Sequence, residues 1–556
     1  MKKINIAILG AVVFSMTSLT GCLDETFPQS STATDEQVAQ SPAATANMAA
    51  GLPASTLKVW DTSRHYSFGL PAVMVVRDVM TGDYYYTGEI DYDQFWAWGE
   101  NKYQGDGYIF PQFVWNYYYG FLLSVNQLVG AINPGIATDE QLTYLGNAYA
   151  YRAMLYLDVA RMFEFLPNEI YSDVNEQGKD VRYLTVPIVT DETTPEQAAN
   201  NPRATHEDMA EFILNDLKEA EKYLDGSNNQ VKEQSNIQPD IACVYGLMAR
   251  LHMWNGSYYA ETGDETKAKE AFGNASEYAQ KAIQTSKVQP IPQAAALNTA
   301  TGFNTASQFM WAMQQTNSNA CVQTGIINWI SFVSNQTTFG YTGLGTGLYA
   351  SIDKNLYNKI SDADWRKLEF VAPEGSPLEG QTQFPVTQAG SFDDNPAYSA
   401  AKFRPGNGDT DDYNVGAATA VPIMRVEEMY FIWAEAEVQQ GNEMPSQFVE
   451  FMKSRDPEFV PAAEFPVDQI ITNKRIELWG EGQSYFDIKR LNMSVTRGYA
   501  GTNCQDDKAR FNTNGRPAWM NLVMVKNESN NNKALVGMNN PDPSDKYVSW
   551  SEESEK

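Results

Sequence analysis

Apolar residues return every three or four positions in several long stretches, the spacing of amphipathic helices. Thr138 is a candidate N-cap with Gln141 completing a capping box. Leu142, Leu145, Tyr149, Ala153, Tyr156, Ala160 and Phe163 then share one face until Pro167 ends the pattern. A second helix is predicted from Thr205, with Glu207 and Asp208 in its first turn, where they complement the helix dipole. Its stripe is Met209, Phe212, Ile213, Leu217, Ala220 and Leu224. A third, over 240–255, sets Ala242, Gly246 and Ala249 among large apolar residues, the composition of a helix covered on several sides and approached closely. A fourth spans 266–285 on Ala268, Ala271, Ala275, Ala279, Ala282 and Ile283. A fifth runs over 424–440, after Pro422 and up to Gly441 in the usual C′ position, and a sixth over 468–480.

Paired helices with small residues at their contacts point to tetratricopeptide-like helix-turn-helix stacking. Between them lie Gly-, Asn- and Asp-rich stretches at 60–115, 287–345 and 371–420. Loops this long are functional or disordered, and their aromatic content argues for order. The expected fold is therefore mainly α: stacked helix pairs, long irregular loops and a few short strands.

Lys plus Arg number 40 against 69 Asp plus Glu in 556 residues, a net charge of −29. That excess disfavours nucleic acid or an anionic membrane surface as the main partner. His65, His206 and His252 lie far apart and offer little for His-based metal sites. Cys243, Cys321 and Cys504 form no CxxC, and Cys243, inside a predicted helix, reads as a buried small apolar residue. Aromatics reach 12%, which turns the balance toward an acidic, aromatic-rich binding protein.

The N-terminus reads as an export signal over 1–21: Lys2 and Lys3, then a mostly apolar run from Ile4 to Leu19, too short and interrupted for a membrane span. Leu19-Thr20-Gly21-Cys22 resembles the lipobox of bacterial lipoproteins, which implies Cys22 as the lipid-bearing mature N-terminus. Asp24 and Glu25 resemble the acidic signal that sends many Bacteroidetes lipoproteins to the cell surface. Residues 22–50, rich in Ser, Thr, Ala and Gln, read as a flexible tether, with a single domain over 51–556.

Four further stretches, in order, resemble the SusD-like (SusD/RagB) family of outer-membrane lipoproteins. They are Ala150–Phe163 (AYRAMLYLDVARMF), Ala204–Leu224 with Ala242–Met253, Val421–Ala436, and Lys474–Arg490 with Glu481-Gly482 and Phe486-Asp487. The resemblance implies a helical-repeat scaffold over about 116–290 and 421–492, and a loop-rich ligand face over about 60–115 and 290–420. It also implies a lid on a TonB-dependent (SusC-like) outer-membrane transporter, placed at the outer membrane, lipid-anchored and facing the exterior. The charged motifs have a reading that needs no ligand. Glu477 and Glu481, i,i+4 on one helix, need neutralising by Arg475, Lys489 and Arg490, while Arg152, Asp158 and Arg161 tie the 140–165 helix to its neighbours.

The densest chemistry is at 84–119, where 15 of 36 residues are aromatic against about four expected from the chain average. Asp83, Glu89, Asp91, Glu100 and Asn101 are interleaved with them. Sugars have apolar faces and hydroxyl rims, so flat rings beside carboxylates and amides suit them. Phe110, Phe113, Trp115 and Tyr117–Tyr119 lead into a helix and are assigned to packing. Trp96 and Trp98 alternate in a Gly-flanked stretch, where one face of a strand or loop would present both. Trp96-Ala97-Trp98-Gly99-Glu100-Asn101 also resembles a stretch of the family's starch-binding founder, which implies that both indoles stack on sugar rings and Asn101 bonds a hydroxyl. A second candidate surface is 303–349, with Trp311, Trp329 and Tyr341 as rings and Gln314, Asn317, Asn319 and Asn328 as amides.

Asp353, Asp362, Asp364 and the 409–412 acids are a conceivable Ca2+ set without an EF-hand spacing, so no cofactor is expected. There is no GxSxG, HExxH, P-loop or dinucleotide fingerprint. The leading expectation is a non-catalytic lipoprotein that captures oligosaccharide or polysaccharide for the transporter. A lipid-anchored glycoside hydrolase and a lid for peptide or glycopeptide cargo stay open beside it.

Overall fold

Each amphipathic stretch is a helix, and two of them start at the caps legible in the sequence, Thr138 and Thr205. The computed structural model of the chain describes residues 41–59, 64–88, 94–233, 235–385, 392 and 395–552. The export signal, Cys22 and the tether up to residue 40 lie outside them. Short turns aside, α1 (Pro42–Thr56), α2 (Leu70–Val79) and α3 (Gln94–Gly99) precede the long helices α4 (Ile109–Ala131) and α5 (Asp139–Phe163). Then come α6 (His206–Leu224), α7 (Ile241–Thr262) and α8 (Glu265–Thr285). A loop-rich stretch separates them from α9 (Val426–Gln439), α10 (Ser446–Lys453), α11 (Pro466–Glu477) and α12 (Ser484–Arg490).

At the start of α5, the Thr138 hydroxyl accepts from the Gln141 amide at 3.2 Å and the Gln141 side chain accepts from the Thr138 amide at 3.0 Å. Thr205 caps α6, its hydroxyl accepting from Asp208 N–H at 3.1 Å. The helices stack in sequence: α4 on α5, α5 on α6, α7 on α8 and α8 on α9. The small residues of α7 are where its neighbours come closest. A Cβ on Gly246 would lie 2.3 Å from the sulfur of Met424, and one on Gly256 2.5 Å from the ring of Phe272. The mainly helical, stacked-pair architecture is thus the one expected.

Two small antiparallel ladders tie the loop-rich half to the helices. β1 (Tyr84–Thr87) pairs with β3 (Tyr349–Ile352), and β2 (Trp311–Gln314) pairs with β4 (Ala420–Met424). One apolar core runs through both halves, and a smaller cluster of Phe431, Phe448, Phe451, Met452, Phe459 and Ile470 sits between α9, α10 and α11.

Two expectations change. Residues 42–50, expected in the tether, belong to α1, which packs on α4 and α5 with Thr45 and Ala49 buried. Ser41 caps it and Pro42 begins it; the Ala- and Gly-rich composition that resembles a linker also gives a helix slim enough to lie close against others. In addition, Glu477 and Glu481 do not share a helix. α11 ends at Glu477, and the chain turns through Gly480 (φ +74°) and Gly482 (φ +67°).

Their neutralising partners also differ from the expected ones. Glu477 meets Arg425 at 2.7 Å, Arg366 at 3.2 Å and Arg455 at 3.3 Å, and Glu481 meets Lys402 and Arg425 at 2.8 Å each. Burial would raise the Glu477 pKa, but these arginines outweigh it and hold the carboxyl well below the usual carboxylate range. Arg475 instead pairs with Asp83, Lys489 donates to the last carbonyls of α5 (Arg161 and Met162) and to Glu164, and Arg490 joins Glu435 to Asp487. The α5 charges do tie that helix down: Arg152 grips Asp216 through two 2.8 Å bonds, and Asp158 joins Arg77 to Arg161.

Candidate functional site

The aromatic segment does not form a strand at its tryptophans. Residues 94–99 are α3, and at about 100° per residue two positions separated by one fall on opposite helix faces. Trp98 points inward, 1% exposed, with rings of Tyr66, Phe95, Phe110 and Phe113 around it at centroid distances of 4.9–6.2 Å. Trp96 is on the other face, half-buried. The alternation that would put both indoles on one shelf is therefore corrected: one is core and one lines the surface.

Trp96 is fixed in orientation. Its indole N–H donates to Glu100 Oε1 at 2.7 Å, one helical turn on, and Lys102 binds the other oxygen of the same carboxylate. Burial pushes the Glu100 pKa up, but the bonds from Lys102 and Trp96 prevail and lower it. Asp506, from the far end of the chain, hydrogen-bonds Glu100; burial first, and the Glu100 charge second, push its pKa up to about 6. The two carboxyl groups thus share a proton at mildly acidic pH.

Asn101 is 2% exposed and adopts a left-handed backbone, φ +54°. Its side-chain amide donates to the Pro543 carbonyl at 2.8 Å, and its own carbonyl accepts from Asp545 N–H at 3.1 Å. It clamps the loop to the C-terminal segment rather than facing a ligand. The Gln104 backbone N–H donates to the Ser544 hydroxyl at 2.9 Å. Tyr103, between these points, and Tyr108, just beyond them, stand outward, 48% and 47% exposed, with their rings 5.3 Å apart. Beneath Trp96 lies a cavity of only about 40 Å³, lined by Tyr85, Tyr86, Phe95, Arg497, Cys504 and Asp506 among others. That is room for about one water, far below a ligand pocket. A ligand here would lie on the rings, not inside.

The other predicted site residues are elsewhere and buried. Asp83, 2% exposed, accepts from Arg475 and does not reach the surface. Trp311 is in β2, fully buried against Tyr151 at 4.9 Å. Trp329 begins a five-residue helix capped by Asn328 and packs edge-on against Phe403. Tyr341 is 6% exposed, stacked on Phe332 with its hydroxyl on His65. These four read as core and framework because they are buried and their partners come from distant segments. Asn319 caps its own turn at Thr316, while Asn317 is exposed.

The candidate cation ligands are likewise committed to local structure. Asp353 caps a short helix and accepts from Tyr85 and Tyr499 hydroxyls at 3.1 and 2.7 Å. Asp364 holds Arg366, and Asp409 and Asp412 accept from backbone amides of their own turn. Among the described residues no group of three or more His, Cys, Asp or Glu side chains is placed to hold a metal ion. Cys243, Cys321 and Cys504 are buried free thiols. Asp506 beside Glu100, and the 543–545 clamp on Asn101 and Gln104, were not legible, because no local pattern links positions some four hundred residues apart.

Two family profiles match the chain. One, described as starch-binding associating with outer membrane, matches residues 29–253; the other, described as SusD family, matches residues 378–541. No curated protein sequence matches the chain. Among solved structures, a SusD-like carbohydrate binding protein from Bacteroides vulgatus superposes with a TM-score of 0.64 at 20% identity, covering 89% of this chain and 97% of its own. A SusD superfamily protein from Bacteroides thetaiotaomicron gives 0.61 at 20% identity, covering 88% and 98%. Surface glycan-binding protein A from the same species, in complex with laminarihexaose, gives 0.58 at 15% identity, covering 90% and 99%. At these identities the superpositions establish a shared fold.

Proposed function

The chain belongs to the SusD-like family, and from that premise we propose that it is a cell-surface lipoprotein that captures oligosaccharides without cleaving them and delivers them to a TonB-dependent, SusC-like outer-membrane transporter. The observation that carries the glycan reading is the set of surface rings on one segment, half-buried Trp96 and exposed Tyr103 and Tyr108, called the ridge. An indole held by Glu100 and two outward phenols offer apolar faces beside carboxylate, ammonium and hydroxyl groups, the pairing a sugar needs. The glycan-binding relative with laminarihexaose on the same fold supports the substrate class. Anchoring at Cys22 and placement outside the cell rest on the lipobox and the Asp24-Glu25 pair. No helix of the described residues is long and apolar enough to cross a membrane, which leaves the lipid as the attachment in this reading.

Capture without turnover is supported by the acid pair at the ridge. Glycosidase carboxyls stand about 5 Å or more apart on either side of the scissile bond. Glu100 and Asp506 face each other directly instead of standing on either side of a sugar bond. The test is affinity electrophoresis of residues 23–556 in gels containing neutral polysaccharides, with assay of reducing ends in parallel. Retardation lost in Trp96→Ala, with no reducing ends released by wild type, supports the reading. Release of reducing ends refutes it, as does retardation that Trp96→Ala leaves unchanged.

A further inference from the structure

The segment between α10 and α11 ends at Phe465, whose φ is +52° although it carries a bulky side chain. A non-glycine residue in this region is costly and needs a compensating reason. Packing does not supply one: Phe465 is 74% exposed, and Val460 nearby is 71% exposed. The loop that presents them is held by Gln469 of α11, whose side chain donates to the Val460 carbonyl at 2.9 Å and accepts from Ala462 N–H at 2.8 Å. The two apolar side chains line a surface cleft of about 630 Å³ together with Asp456, Glu458, Glu464 and Asp468, with Lys359 as the cation on its wall. Glu458, Glu464 and Asp468 are exposed, so their charge faces whatever enters.

We propose that this cleft is a docking site for a polypeptide segment of a partner protein that sets Lys or Arg side chains around one apolar side chain. The apolar residue packs on Phe465 and Val460 at the centre, and the cations meet the acids at the rim. The charge selects this occupant over the others the apolar pair would accept. Anionic lipid headgroups are repelled by the same acids. A second copy of the chain brings an excess of 29 negative charges of its own.

The test is calorimetric titration of residues 23–556 with three synthetic peptides of equal length: alternating Lys and Leu, alternating Lys and Ser, and alternating Glu and Leu. The Lys–Leu peptide is expected to bind, with affinity falling as salt rises, and the other two to bind at least about tenfold more weakly. Phe465→Gly, which relieves the positive φ and so keeps the fold, and the pair Glu464→Gln with Asp468→Asn, are each expected to weaken the Lys–Leu peptide at least about tenfold. Glu211→Gln with Glu270→Gln, on exposed faces of α6 and α8, is expected to change nothing. No measurable binding of the Lys–Leu peptide overturns the proposal. So does binding that Phe465→Gly leaves unchanged, or that the remote pair weakens as much as the cleft pair, since attraction to net charge alone then accounts for it. Glycan retention by the ridge at Trp96 is independent of either result.

Discussion

Truncating Trp98 and truncating Trp96 must do opposite things if one helix puts them on opposite faces. Trp98 is 1% exposed within four aromatic rings, so Trp98→Ala removes a fully buried indole and leaves a cavity that those rings cannot fill. Core Trp to Ala changes cost about 3–5 kcal/mol. Trp96 is half-buried, and its truncation forfeits part of that apolar contact and the bond to Glu100, about 1 kcal/mol. As a glycan platform, however, it would contribute about 2 kcal/mol of binding, roughly thirtyfold in affinity. Urea unfolding followed by tryptophan fluorescence and circular dichroism reads the first quantity, and affinity electrophoresis on a glycan gel reads the second. The expected pattern is a large loss of stability for Trp98→Ala and a large loss of retention for Trp96→Ala at near wild-type stability. The reversed pattern, Trp98→Ala stable but unretained and Trp96→Ala retained, would refute the face assignment and with it the ridge.

Glu369 is buried among like and unlike charges, and desolvation raises its pKa to about 7. A raised folded pKa makes its contribution fully present below the unfolded value of 4.5 and lost as pH climbs through about 7, a loss of about 3 kcal/mol. Glu369→Gln should flatten the fall in unfolding free energy across that window, and an unchanged slope would contradict the assignment. Asp506 ionises near pH 6 beside Glu100, so glycan retention should decline as pH rises through that value while the two carboxylates repel and loosen the Trp96 anchor. Asp506→Asn should remove that decline; retention measured across the same range decides it. Gly256→Ala places a Cβ 2.5 Å from the Phe272 ring, and overpacking of about 1–3 kcal/mol exceeds the helix-propensity gain of about 1 kcal/mol. Gly51→Ala, with nothing within 4 Å, should keep the gain. Denaturant midpoints moving in opposite directions check the pair.

What was legible followed from local information. The capping box at Thr138, the first-turn acids after Thr205, and Gly441 with its φ of +89° each announce a helix end without reference to the rest of the chain. What was not legible depended on partners brought from afar. Trp311, Trp329 and Tyr341 sit in Gly- and Asn-rich sequence that resembles an exposed loop. Tyr151, Phe403 and Phe332 cover them, and nothing near them in sequence says so. α3 is a subtler failure. Six residues contain too few turns for a helical period to emerge, and a lone Trp-x-Trp satisfies the strand alternation equally well. The scaffold role of the charged motifs was readable from their density, whereas the identity of each pair was not. Glu477 is neutralised by arginines from three separate segments and not by the neighbouring Arg475.

The buried charges also bear on what the fold can do chemically. General acid–base catalysis needs a carboxyl that is reachable and able to exchange its proton near working pH. Glu477 and Asp158 are each held ionised by arginines that outweigh their burial, and both are sealed from solvent. Glu481 and Asp83 are sealed as well, with Lys402, Arg425 and Arg475 upon them. Glu369 has a proton to give but is 2% exposed. Glu100 and Asp506 are near the surface, yet they are bonded to one another and to the indole of Trp96. Removing one member of such a buried pair leaves an uncompensated charge, a penalty of about 3–5 kcal/mol, so these groups are coupled to folding itself. The surface rings are oriented by separate local bonds, Gln469 to the Phe465 loop and residues 543–545 to Asn101 and Gln104, and a preorganised ring binds more tightly for the same contact area because little freedom is lost on association.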